Sequence, residues 1–258
     1  MIPKIIHYTW FSGDEMPEEV KECISSWKKM LPDYKLRLWD MEAIRKIDSI
    51  FLRETIEVRK WAYAADFVRL YALYNEGGIY LDTDVLVHKS LDSFLNTKCF
   101  IGKEKAVRFE NFAGVQYLSS HCMGAEKGHS FIKDCLAYYE DRHFVISNNE
   151  HLPTLLRYNY VLIPYIQAVI ALDYGYDWDP RRDFIQNCKD GLVIYPCDFF
   201  TGESIYCQHL ALGSWREHFE KKKVNNSLVR RFRHYMYEKL RKYLLQHSRI
   251  LMKIEINH

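Results

Sequence analysis

Over its first ninety positions the chain alternates short apolar stretches with runs of helical spacing. Lys4–Trp10 (KIIHYTW) reads as a buried strand, left through the loop Phe11–Asp14. From Pro17 to Leu31 the apolar residues Val20, Ile24, Trp27 and Leu31 recur at helical spacing. Pro17 suits a first turn, and Pro32-Asp33 ends the run. Lys35–Trp39 alternates polar and apolar like a strand, and Asp40 is placed to cap a short helix through Ile47. Ile56–Tyr74 is the longest helical pattern, and Gly77-Gly78 stops it at a C-cap. Ile79–Leu81 is the next strand. Strand, helix, strand, helix, strand predicts an α/β domain with a mostly parallel central sheet. Such sheets bind ligands outside the carboxyl ends of their strands.

The remainder is less regular. Lys98–Gly102 reads as a strand, His129–Tyr139 as a helix, and Leu192–Tyr195 as a late buried strand closed by Pro196. From Lys221 the pattern turns basic and helical, which divides the chain into a catalytic-sized body, residues 1–220, and a tail, residues 221–258.

The chemistry concentrates at Asn75-Glu-Gly-Gly-Ile-Tyr-Leu-Asp-Thr-Asp84. Read as extended chain, Asp82 and Asp84 lie on one side with Cα atoms about 7 Å apart. Two hard oxygen ligands at the carboxyl end of a buried strand suit Mg²⁺ or Mn²⁺ carrying a diphosphate; the bland alternative is a solvated turn. Asp66 and Arg69 share one face of a largely apolar helix, either as a structural ion pair or as a carboxylate and guanidinium aimed at sugar hydroxyls. His209 with Gly213-Ser214-Trp215 offers a metal ligand, a hydroxyl and an indole N–H around a diphosphate, or a buried His and a core Trp. Trp10, ending the first strand, either stacks on a nucleobase or packs in the core.

Charge changes the picture only at the tail. Residues 221–258 carry 11 Lys/Arg against Glu238 and Glu255, so, with +2 on the whole chain, residues 1–220 carry about −7. Val229, Phe232, Tyr235, Met236 and Leu240 recur at helical spacing among these cations. The tail is therefore either a basic amphipathic helix for an anionic membrane or a helix docked on the body. No nucleic-acid motif accompanies it, and an acidic body argues against a nucleic-acid partner. With 48% hydrophobic and 27% charged residues the composition is that of a folded domain. Seven cysteines without a CxxC pair lead to the expectation of a reduced, cytoplasmic protein. No apolar run reaches a membrane span, and no secretory leader is visible at the start.

Four blocks in order, Ile2–Trp10, Ala65–Arg69, Asn75–Asp84 and His209–Trp215, make residues 2–216 resemble glycosyltransferase family 32. This group has a DXD sugar-binding region; it includes fungal initiating mannosyltransferases and bacterial polysaccharide enzymes and is related to clostridial toxin glucosyltransferase domains. The resemblance implies a GT-A fold and retaining, metal-dependent transfer from a nucleotide-sugar, a UDP-hexose or GDP-mannose, to a glycan or lipid-linked glycan. It implies that Trp10 stacks on the base, that Asp66 and Arg69 hold donor hydroxyls, and that Asp82 contacts ribose or sugar and reaches the metal. It further implies that Asp84 binds Mn²⁺ or Mg²⁺ directly, that His209 stands where a further ligand is expected, and that Ser214 and Trp215 reach the metal and diphosphate. Many relatives carry a second His in the last block; here Gln208 precedes His209. The expected setting is capsular, exopolysaccharide or lipopolysaccharide synthesis, with the tail at the inner face of the plasma membrane. The alternative is an inactive nucleotide-sugar-binding module.

Overall fold

The computed structural model describes residues 1–105, 107–109, 112–201 and 204–212. Its strands are β1 (Ile5–Thr9), β2 (Lys35–Trp39), β3 (Gly78–Leu81), β4 (Val85–Val87), β5 (Cys99–Lys103), β6 (Val107–Phe109), β7 (Phe112–Val115), β8 (Leu118–Ala125), β9 (Gln186–Asn187), β10 (Leu192–Tyr195) and β11 (Cys207–His209). Its helices are α1 (Glu18–Met30), α2 (Met41–Ile44), α3 (Ile50–Glu57), α4 (Trp61–Glu76), α5 (Ser130–Ala137), α6 (Thr154–Arg157), α7 (Ile163–Asp173) and α8 (Cys197–Phe200).

Seven strands form the central sheet in the order β2-β1-β3-β8-β5-β10-β9. The β1–β2, β1–β3 and β5–β10 pairs are parallel; β8 runs antiparallel between β3 and β5, and β9 antiparallel on β10. The expected mostly parallel α/β sheet is thus present, with one reversed strand at its centre. That reversal puts the amino-terminal half of β8 at the same edge as the carboxyl ends of β1, β3 and β5.

Alternation along β3 sorts the layers. Ile79 and Leu81 face a core shared with Trp27 and Leu31 from α1 and its exit, with Phe94, Phe100 and Phe200. Tyr80 faces the other side, under the Arg69 guanidinium of α4. In α1 the buried Val20, Cys23 and Trp27 form the core stripe, with Glu18 and Glu19 in the first turn and Lys28 and Lys29 in the last, matching the helix dipole. Helix α4 is buried nearly all round; Ala64, Val68 and Ala72 let it sit close to the sheet.

Asp40 caps α2 through Ala43 N–H, although the helix stops at Ile44 rather than Ile47. The single helix expected over Ile56–Tyr74 is two. Arg59 adopts a left-handed φ of 55°, and Lys60 N–H returns to the Thr55 carbonyl, so α3 ends and α4 starts anew at Trp61. No Gly or Pro marks this break, which is why the helical spacing runs through it.

Gly77 and Gly78 do end α4, with φ of 69° and 113°. A Cβ on Gly78 would lie 2.8 Å from the Ile5 carbonyl oxygen. His7 locks this corner: its Nε2–H donates to the Gly77 carbonyl at 2.7 Å, and its Nδ1 accepts from the Trp39 indole at 3.0 Å. Burial pulls its pKa down, as suits a neutral imidazole with both nitrogens engaged. Gly78→Ala is expected to destabilise the fold by about 1–3 kcal/mol through an unfavourable φ and contact with Ile5. Urea unfolding checks this, and an unchanged midpoint would contradict it.

Candidate functional site

The site assembles where β3 ends. Asp82, Thr83, Asp84 and Val85 form a tight turn closed by Val85 N–H to the Asp82 carbonyl, 3.1 Å. The acidic pair is therefore not on extended chain as the alternation suggested. The turn redirects the chain into β4, which pairs antiparallel with β11 so that Val85 faces His209. The Trp27 indole N–H, 2.7 Å from the Val85 carbonyl, ties the start of β4 to α1. Leu210 N–H donates to the Asp84 backbone carbonyl at 2.9 Å, binding the segment after β11 to the turn.

These pairings bring Asp82, Asp84 and His209 together, their ligand atoms all within 4.8 Å of one another. That is near the roughly 4 Å span of a small octahedral cation's shell, twice a metal–oxygen distance of about 2.1 Å. His209 Nε2 lies 3.2 Å from Asp84 Oδ1, and Leu212 N–H donates to Asp84 Oδ2 at 3.1 Å. Burial pushes the Asp84 carboxyl up, but the His209 hydrogen bond and charge and the Leu212 N–H outweigh it, leaving its pKa lowered. Burial pulls His209 down, and Asp84 more than restores it, so its pKa is raised. The donor set of two carboxylates and one imidazole fits Mn²⁺ or Mg²⁺.

Asp66 and Arg69 stand beside this cluster. Arg69 Nη2 is 2.8 Å from Asp66 Oδ1 and 3.4 Å from Asp82 Oδ1. Its Nη1 donates to the Ser120 carbonyl at 2.7 Å and its Nε to Ala65 O at 3.3 Å. The guanidinium lies 4.7 Å over the Tyr80 ring, whose hydroxyl donates to Asp82 Oδ1 at 3.0 Å and lies 3.3 Å from Thr9 Oγ1. The pair is thus a buried ion pair that also touches Asp82 of the acidic cluster. Burial pushes the Asp66 carboxyl up, Arg69 pulls it down, Asp82 pushes it up and the Ile163 N–H pulls it down; the balance stands at about 7.

Trp10 directly follows β1 at the same sheet edge, half-exposed, with its indole N–H on the Asp14 carbonyl at 2.8 Å. It is not part of the core, and it does not join the acidic cluster. Gln208 points to the opposite face of β11, 3.3 Å from His88. Ser214, Trp215 and the 221–258 tail lie outside the described residues.

Sequence reading missed β8 and what it carries. Ile101 pairs with Met123, but the next residue, Gly102, pairs with Ser119, so Ser120, His121 and Cys122 bulge out of the β5–β8 ladder. The Ser120 carbonyl receives Arg69, and the His121 carbonyl receives Asp82 N–H at 2.9 Å. The His121 ring stacks on His209 at 4.3 Å. The only trace in the sequence is polar Ser-Ser-His within a run of otherwise strand-compatible residues.

Residues 17–101 match the family described as a glycosyltransferase sugar-binding region containing a DXD motif. The matched segment includes Asp66, Arg69, Asp82 and Asp84 and leaves Trp10 and His209 outside. The chain is similar to an inositol phosphoceramide mannosyltransferase of Schizosaccharomyces pombe, 36% identical over 51% of this chain and 35% of the relative. It is also similar to an uncharacterised glycosyltransferase of Acanthamoeba polyphaga mimivirus, 36% identical over 39% of this chain and 42% of that protein. The alignments thus span between about a third and two fifths of these relatives. Among solved structures, the PaToxG glycosyltransferase covers 67% of this chain and 69% of its own at 20% identity and a TM-score of 0.46.

Asp66 has a folded pKa near 7 against 3.8 for an ordinary Asp, so between these values the folded state binds more protons and loses stability as pH rises. Wild-type stability from this group is full below about pH 4 and lost by about pH 7. Asp66→Asn is expected to remove that fall; unfolding free energies measured from pH 4 to 8 for both proteins test it, and parallel curves would refute it.

Proposed function

We propose that this chain, whose residues 17–101 belong to the DXD sugar-binding-region family of glycosyltransferases, family 32, transfers a sugar from a nucleotide-sugar to a glycan or lipid-linked glycan acceptor. The observation that carries this reading is the convergence of Asp82, Asp84 and His209, drawn from the turn after β3 and the end of β11, beside the buried Asp66–Arg69 pair. In this reading Asp84, Asp82 and His209 hold Mn²⁺ or Mg²⁺. When bound, the ion supplies positive charge to the departing diphosphate.

Asp66 and Arg69 meet the hydroxyls of the donor sugar. Asp66 is the better placed of the two to exchange a partner, since its carboxylate is held by Arg69 and the Ile163 N–H at the edge of the cluster. Arg69 remains cationic, because burial opposes its charge less than Asp82, Tyr80 and Asp66 favour it. It fixes the orientation of Asp82, and Tyr80 fixes the same carboxylate from the sheet side. Trp10, half-exposed at the carboxyl end of β1, is the surface for the base. The acceptor hydroxyl attacks from the face that the nucleotide leaves and gives its proton to the departing diphosphate as the anomeric C–O bond breaks, so the anomeric configuration is retained, with no covalent enzyme nucleophile assigned. The main term is electrostatic stabilisation of the leaving group.

Nucleotide release from a panel of UDP- and GDP-sugars, with and without Mn²⁺, tests this reading. One donor is expected to be hydrolysed slowly and only with metal. Asp84→Asn is expected to lower that rate on the order of 10²-fold or more, by loss of a direct ligand. Wild-type rates in the variant would remove the metal assignment. Binding of nucleotide with Mn²⁺ but no turnover, with acceptor sugars present, would favour an inactive binding module.

The cationic 221–258 segment would bring the enzyme to the anionic inner face of the plasma membrane, near a lipid-linked acceptor in polysaccharide synthesis. The full chain is expected to sediment with anionic liposomes at low salt and a chain ending near residue 220 to stay in the supernatant. Sedimentation of the shorter chain would place the contact elsewhere.

A further inference from the structure

We propose that His121 is the positioning residue for the metal-binding imidazole of His209. The proposal rests on the reading of Asp82, Asp84 and His209 as a divalent-cation site.

His209 is secured at one nitrogen by Asp84 and on one ring face by His121, whose ring stacks at 4.3 Å and 25°. A single hydrogen bond leaves an imidazole free to rotate about that contact; a flat partner on its face removes this freedom. His121 can act as that partner because it is itself immobilised. It is 2% exposed. Its Nε2–H donates to the Phe200 carbonyl at 2.6 Å, an atom that can only accept. Its Nδ1 lies 2.9 Å from Ser119 Oγ. Glu104, just past β5, has its Oε1 3.6 Å from the same Nδ1.

The backbone explains why a histidine of a central strand reaches this place. In a regular β5–β8 ladder, His121 would have a partner on β5 and alternate with its neighbours. The three-residue bulge Ser120–Cys122 frees it from that register. Bulges beside functional sites commonly re-aim a side chain in this way. The same residue receives the Asp82 N–H on its carbonyl. One bulged residue therefore holds one cation ligand through its backbone and another through its ring. Groups behind metal ligands are worth about 10–100-fold in metal affinity.

The test uses the full chain and Mn²⁺ alone, with affinity from calorimetry and ligand identity from pulsed EPR of the imidazole ¹⁴N coupling. Wild type is expected to show that coupling and His209→Ala to lose it. His121→Ala is expected to raise the Mn²⁺ Kd about 10–100-fold and weaken the coupling. His121→Phe, which keeps a flat ring against His209, is expected to stay close to wild type in both. Thermal unfolding separates this from general destabilisation; should the Ala variant fail to fold, His121→Leu fills the space without a flat face and carries the same expectation.

Wild-type affinity and coupling in His121→Ala or His121→Leu would overturn the proposal, as would a folded His121→Phe no better than they are. If those variants match wild type while Asp84→Asn loses Mn²⁺, the cation site stands and only this proposal falls. If wild type binds no Mn²⁺, the cation site itself is refuted and the proposal with it.

Discussion

The Arg69 guanidinium is the contact on which the rest of the site depends. It is a buried cation that meets Asp66 on its own helix, Asp82 after β3, the Ser120 carbonyl on β8 and the Tyr80 ring beneath it. A charge removed from water is tolerable only when its donors are matched, and here they are matched by groups from three elements. Removing one member of such a network commonly costs about 3–5 kcal/mol, because the remaining charges are left buried and unpaired. The same contacts fix where Asp82 points. Stability and site geometry therefore share one set of atoms.

The central antiparallel strand is the second constraint. Because β8 runs against β3 and β5, its polar residues Ser119, Ser120 and His121 arrive at the edge where the parallel strands end. These are costly residues to bury, and each has a use that offsets the cost: Ser119 and the Phe200 carbonyl satisfy His121, the Ser120 carbonyl satisfies Arg69, and the His121 carbonyl satisfies Asp82 N–H. The small β4–β11 sheet completes the arrangement by holding His209 against Asp84.

Much of this was legible beforehand where the signal is local. Strands β1, β2, β3, β5 and β10 and helices α1 and α5 fall where apolar spacing and turn residues put them. The break at Arg59 was not legible, because a left-handed residue that is neither Gly nor Asn leaves no mark in hydrophobic spacing. The turn at Asp82–Val85 is hidden for a related reason: Asp-Thr-Asp is compatible with turn or extended chain, and the pairing of β4 with β11, some 120 residues away, makes the choice.

Local sequence is enough for the α/β order, the glycine corner ending α4, the helical neighbourhood of Asp66 and Arg69, and the recognition of Asp82, Asp84 and His209 as groups able to hold a hard cation. Those follow from periodicity of 2 or 3.6, from positive φ at glycine, and from ligand chemistry, all properties of residues near one another in the chain. That these groups meet, that Arg69 bridges two aspartates and that a bulge turns His121 onto His209 emerge only in the folded chain. Those are outcomes of strand order and register between segments far apart in sequence, and register carries no signature in any single segment.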